Sequence, residues 1–196
     1  MARLGRQVDH FQEIEKKSIR ADFSPDLRYR YTLSMSYRQN LIPANREKCV
    51  TVILKNPSSA DEKRSDATIR KVETFVWMRF RNSNKLQILN LFAYRATDAS
   101  ELSKWMNEEG TQAGIGPEND SWFIKYLQST DYLICAWGGP SGIQPEHYRS
   151  RIMSVKKLIA THYSGPVNQI VGATTTREPL HGLMWGYNYH LKPYRL

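Results

Sequence analysis

The chain has 196 residues, 40% of them hydrophobic and 24% charged, and a formal net charge of +9. These values suit one soluble globular domain long enough to bury a core without staples, and they leave no apolar run that reads as a signal peptide or membrane span. The basic excess falls in residues 1–100 and 151–196, while 101–150 is net acidic, so charge suggests a nucleic-acid or nucleotide partner against the plain alternative of a basic soluble surface.

Residues 1–20 place Leu4, Val8, Phe11 and Ile14 at helical spacing, which predicts a short amphipathic helix within an arm over 1–27, packed on a domain spanning 28–196 or presented to a partner. From Arg28 to Arg38 the pattern alternates. Tyr29, Tyr31, Leu33, Met35 and Tyr37 take one face, and Arg28, Arg30, Thr32, Ser34, Ser36 and Arg38 the other. That predicts an edge strand with a wet, basic face, whose arginine row either contacts phosphate or simply protects the edge.

Val50 to Leu54 is nearly all β-branched, as befits a strand buried on both faces, and Asn56-Pro57-Ser58-Ser59 ends it in a polar turn. Ser65 can cap a helix carrying Ile69, Val72, Val76 and Phe80 on one side and Arg70, Lys71, Arg79 and Arg81 on the other. A second strand over 86–91 opens into a loop holding Asn90, Tyr94, Arg95 and Thr97. Residues 106–116 read as a Gly-rich acidic loop, a lid or a plain connection. Pro117 starts a helix with Trp122, Phe123, Tyr126 and Leu127 inward. A third strand over 132–137 empties into a Gly138-Gly139 loop that lacks the Lys of a P-loop, and Pro145 opens the longest helix. A fourth strand over 167–171 leads to Arg177 and His181, and the aromatic tail is read as packing onto the domain, with base stacking the alternative.

Four apolar runs alternating with helices predict a three-layer α/β/α sandwich, its mainly parallel four-stranded sheet extended by an antiparallel edge strand. Ligands of such sheets bind at the carboxyl ends of the strands. Asn56 at its stiffened turn can orient a water or read a base edge, or serve only its own backbone. Asp61 can act as a general base or simply cap. Arg95 and Arg177 can grip phosphate in a bidentate way or pair at the surface. Cys49 and Cys135 fall inside strands without a CxxC motif, and the histidines are scattered, so reduced thiols, a cytoplasmic setting and no metal or cofactor are expected.

The motifs NPSSAD, DATIR, NLFAYRATD, GPEND, AWG, HGL and LKPY, in that order from about Tyr29 to Tyr194, resemble the bacterial and phage family DUF1643. LKNPS and YRAT are also similar to two segments of the uracil-DNA glycosylase superfamily, and EPLHGL stands where that superfamily carries HPSP or NPSG. The second resemblance implies a glycosylase-like fold and hydrolysis of a base from DNA or a nucleotide. In it Asn56 places the attacking water with Asp61 assisting, and His181 faces the base. Arg95 or Arg177 holds phosphate. From their places in the rim loops, Pro57, Ser58, Asn90, Tyr94, Thr97 and Gly138 are the further candidate substrate contacts. Binding of nucleic acid or nucleotide without chemistry is the first alternative, and a protein-interaction module the second.

Overall fold

A computed structural model describes residues 7–38, 47–57, 60–96, 99–171 and 178–196. Its strands are β1 (Gln7–Val8), β2 (Arg20–Phe23), β3 (Arg30–Ser36), β4 (Lys48–Leu54), β5 (Ser65–Asp66), β6 (Ser83–Asn90), β7 (Tyr132–Cys135), β8 (Val167–Val171) and β9 (His190–Pro193). Its α-helices are α1 (Ala67–Arg79), α2 (Ala99–Glu109), α3 (Thr111–Ile115), α4 (Asn119–Leu127) and α5 (Pro145–His162). The architecture is mixed α/β: a seven-stranded sheet in the order β2-β3-β6-β4-β7-β8-β9, with β1 and β5 paired separately.

The run Val50 to Leu54 forms the middle of this sheet, with β6 and β7 parallel to β4 on either side and β8 parallel beyond β7. Alternation along the strands divides the core. Val50, Val52, Leu54, Leu86, Ile88 and Ile134 pack with Ile69, Val72 and Val76 of α1. Ile53, Leu89, Leu133 and Cys135 pack with Phe123, Leu127, Ile152 and Val155 of α4 and α5. Both cysteines are free and buried, and burial pushes the Cys49 thiol up to about 12, so it behaves as a small apolar group. No helix among the described residues is long and apolar enough to cross a membrane.

Several sequence expectations are corrected. The segment from residue 7 to Phe23 is not an amphipathic helix. It contributes β1 and β2 with a short 3-10 turn over Lys16–Ser18. Long-range bonding overrides the helical spacing: Glu15 N donates to Ser36 O and Arg38 N to Glu13 O, while His10 reaches Glu73. β3 is antiparallel to β6 as expected, but β2 covers its other side, so it is not an edge. Its supposedly wet Arg30, Thr32 and Ser34 are all buried.

Asp66, not Ser65, caps α1, its carboxylate accepting from Thr68 N at 2.8 Å and Ile69 N at 2.9 Å. Residues 106–116 are helical apart from Gly110 and Gly116, both at positive φ, because Leu102 and Met106 one turn apart are buried against Gly114. The tail packs inward through Trp185 and adds β9 beside β8.

Candidate functional site

The carboxyl ends of β4, β6 and β7 share one rim, and three neighbouring backbones tie it together. Leu91 N donates to Leu54 O, Phe92 N to Lys55 O, and Ala136 N to Ile53 O. Lys55 follows directly on the buried strand and is itself buried. Its ammonium stands 5.7 Å from the centroid of the Tyr148 ring, and it takes part in none of the ion pairs among the described residues. Burial alone pushes its pKa down.

Asn56, next in the chain, donates from Nδ2 to Ala96 O at 3.0 Å and to Pro57 O at 3.3 Å, bracing the β4 loop against the β6 loop. No donor among the described residues reaches its Oδ1, which is free to accept. Asn90 ends β6 in register with Leu54, so both side chains leave the same face of the sheet. It is fully buried, and neither its amide nitrogen nor its oxygen has a partner. An amide buried in that state ordinarily finds a water or a ligand.

After β7 the chain enters Gly138 at φ +70, and Gly138 N donates to Pro179 O at 3.0 Å. A Cβ at Gly138 would lie 2.9 Å from Cβ of His181, so glycine permits both the left-handed backbone and the close approach. The Tyr148 hydroxyl donates to Gly138 O at 2.6 Å and to Trp137 O at 3.2 Å, fixing the loop from below. Trp137 Nε1 donates to Glu178 at 3.1 Å.

His181 precedes a 3-10 turn over Gly182–Met184, and its Nδ1 accepts from Leu183 N at 3.3 Å. A neutral imidazole with Nδ1 accepting carries its proton on Nε2. Burial first, then the positive charge of Lys55, lowers its pKa to about 4, against the pull of Asp66. The ring is therefore neutral at ordinary pH. Gly182 anchors this loop over the core, where an added Cβ would lie 3.0 Å from both Leu54 and Val72.

Other expected site residues lie apart or serve local structure. The Asp61 carboxylate accepts from Lys63 N at 2.8 Å and Arg64 N at 2.9 Å, closing its own turn. The Tyr94 ring stacks on Trp105 at 5.4 Å and meets Tyr29 edge-on, directed toward α2. Arg95 donates from Nη1 to Leu27 O at 3.1 Å and lies 4.9 Å from the Phe23 ring centroid, while its Nε is buried without a partner. Pro57 is buried beside Asn56. Ser58, Thr97 and Arg177 fall outside the described residues. Among the described residues no group of three or more His, Cys, Asp or Glu side chains is placed to hold a metal ion.

A family of proteins of unknown function, DUF1643, matches residues 30–183, well over half of the chain. The chain belongs to DUF1643. The match begins with Arg30 in β3 and closes at Leu183, just past His181, so it encloses the rim described above. No curated protein and no solved structure matches the chain, which leaves the glycosylase resemblance resting on its short motifs.

Within this DUF1643 domain, Lys55, Tyr148 and Asp66 are rim residues that the sequence alone does not single out, while Arg30, expected on a wet edge face within reach of phosphate, is buried at the rim instead. Lys55 carries one usable signal, a cation placed directly after the mostly apolar run Val50 to Leu54 of a buried strand. Tyr148 falls at helical spacing with Ile152, Val155 and Ile159 of α5, the pattern of a plain core residue. Asp66 and Arg30 needed the topology before their positions meant anything.

Proposed function

We propose that this DUF1643 protein hydrolyses the N-glycosidic bond between a nucleobase and its sugar, in DNA or in a nucleotide. The observation that carries this reading is His181, a neutral imidazole whose Nδ1 is engaged by Leu183 and whose Nε2–H is left to donate beside the unpaired ammonium of Lys55. As the C1′–N bond breaks, its electron pair moves onto the base. A preorganised N–H and a nearby cation stabilise that charge most where water is scarce, as an oxyanion hole does. A water oxygen forms the new bond to C1′, and its proton passes to solvent and on to the departed base. Asn56 Oδ1 accepts a hydrogen bond from that water and aims it. The same reading includes the finer fold description, a three-layer α/β/α sandwich of the uracil-DNA glycosylase type, supported by packed helices on both faces of the sheet.

Binding of nucleotide or nucleic acid without bond cleavage is the second reading. The Asp61 carboxylate favours it, since its engagement in the 61–64 turn leaves that candidate base occupied. The test is to incubate the protein with oligonucleotides and nucleotides carrying uracil, mismatched thymine or modified pyrimidines and to quantify free base by chromatography. His181→Ala and Asn56→Ala should each lower turnover by about 100-fold or more, the usual cost of removing such a donor or a positioned water. Binding with no base released from any substrate selects the second reading.

A further inference from the structure

We infer that Arg30 and Arg95 form an anion subsite at this rim, built for a terminal phosphate monoester, so that the ligand is a mononucleotide rather than a base within a continuing strand. The inference deepens the proposed function and rests on its placing of the base at the same rim.

Arg30 is 1% exposed, yet its only side-chain hydrogen bond among the described residues runs from Nη1 to Ala60 O, and its Nε has no partner. Arg95 likewise has a buried, partnerless Nε. Neither arginine forms an ion pair with a carboxylate among the described residues. A buried guanidinium that no carboxylate pairs with directly is unfavourable even with Asp66 in the neighbourhood, and a second one beside it adds repulsion.

The backbone forces the two together. Tyr29 and Tyr94 form an antiparallel bridge, Arg30 N donates to Ala93 O, and Arg95 N donates to Arg28 O, each at 2.9 Å. Phe23 pairs with Arg30 in the β2–β3 ladder and also carries the Arg95 guanidinium over its ring. Burial pushes Arg30 down to about 10; Asp66 opposes that shift and Arg95 adds to it. The acidic groups around Arg30 have other work. Asp66 caps α1, Asp61 closes its own turn, and Glu62 accepts from Ala21 N at 3.0 Å.

Two guanidinium groups with donors to spare match a phosphate dianion. A diester carries a single charge and so answers two guanidinium groups less fully than a monoester dianion does. The location suits a nucleotide whose base reaches His181: Arg95 adjoins Ala96, whose carbonyl holds Asn56, and Arg30 holds the carbonyl of Ala60 on the β4 loop.

The test is calorimetric binding of inorganic phosphate, of a panel of deoxynucleosides and their 5′-monophosphates, and of a single-stranded oligonucleotide with the same bases. The best monophosphate should bind about 100-fold more tightly than its nucleoside and more tightly than the oligonucleotide, and inorganic phosphate should compete with it. Arg30→Met and Arg95→Gln should each remove about 10-fold or more of that preference and leave nucleoside affinity unchanged. Arg95→Gln keeps the test decisive if Arg30→Met does not fold. Equal affinity for nucleoside and monophosphate, tighter binding of the oligonucleotide, or full phosphate preference in Arg95→Gln overturns the inference. Base release that ignores the phosphate would overturn the subsite and keep the hydrolase, whereas phosphate-dependent binding without base release does the reverse.

Discussion

Replacing His181 by Asn should remove a specific part of the chain's acid sensitivity. Asn can keep the cap, because its side-chain oxygen can accept from Leu183 N where Nδ1 does now, but it does not titrate. In the folded chain His181 titrates at about 4, lowered by burial and then by Lys55, against 6.5 for an unperturbed histidine. As pH falls, the unfolded chain takes up this proton first. The stability linked to neutral His181 is thus complete above about pH 6.5 and drains away as pH falls toward 4. At about 1.4 kcal/mol per pH unit the full loss is on the order of 3 kcal/mol, of which about 2 kcal/mol falls between pH 7 and pH 5. Urea unfolding at those two values should show the wild type losing about 2 kcal/mol more than His181→Asn. Taking the difference cancels the carboxylates, which titrate alike in both chains. Equal losses in the two proteins, or an NMR titration placing His181 near 6.5, would refute the buried, Lys55-facing ring.

Three further outcomes follow from the same geometry. Gly138→Ala forces a Cβ into left-handed backbone and to within 2.9 Å of His181 Cβ, so urea unfolding should show a loss of about 2–3 kcal/mol; a loss under about 0.5 kcal/mol contradicts the contact. Lys55→Met replaces an unpaired buried ammonium with an apolar chain of similar length. It should raise unfolding stability by about 1–3 kcal/mol and move the His181 titration upward in NMR, and a destabilised variant would mean that the ammonium has an internal counter-charge. His10→Gln tests the buried clamp in which His10 reaches Glu73 at 2.6 Å and the Asp61 carbonyl at 2.9 Å. Burial, the largest single effect, lowers the His10 pKa, but Glu73 and the Asp61 carbonyl together raise it on balance. Its stabilisation is therefore complete below about pH 6.5 and lost as pH rises through the folded value, so the variant should lose about 2–3 kcal/mol at pH 6 and clearly less at pH 9, with equal losses refuting the clamp.

The centre of the fold was legible because its signals are local. The mostly apolar, β-branched run Val50 to Leu54, followed closely by Asn56-Pro57, already specifies a buried strand and the side on which it stops, and the same logic places β6, β7 and β8. The periphery was illegible for the converse reason. Residues 7–23 hold Phe11 and Ile14 at a spacing that suits a helix, and only the partners Tyr37, Ser36 and Glu73, distant in sequence, make them extended. The stretch 106–116 looked like loop because Gly110, Gly114 and Gly116 crowd it. Gly114 is in fact required where α3 meets α2, since a Cβ there would lie 2.5 Å from the Met106 side chain.

At the site the division is sharper. Asn56, Gly138 and His181 announce themselves as polar or flexible residues just past strand ends. Arg30 does not, because a period of two assigns it to the solvent face. The alternation itself holds, but the face it assigns to Arg30 is covered, as buried Thr32 and Ser34 on the same face show, and the antiparallel direction of β3 carries its first residues to the rim where β4 and β6 end. There Arg30 joins Lys55 as a second cation that the core encloses without an ion-pair partner among the described residues. Part of the +9 charge is therefore held inside the domain rather than spread on its surface. Surface charges lose their pull within about 10 Å at ordinary salt, while enclosed ones are screened far less. Nucleotide binding at this rim should accordingly weaken only slightly between about 50 and 200 mM salt, where an oligonucleotide held by the basic surface would lose orders of magnitude. A nucleotide affinity that falls as steeply as the oligonucleotide's would put the binding charge on the outside of the domain and take it away from Arg30 and Lys55.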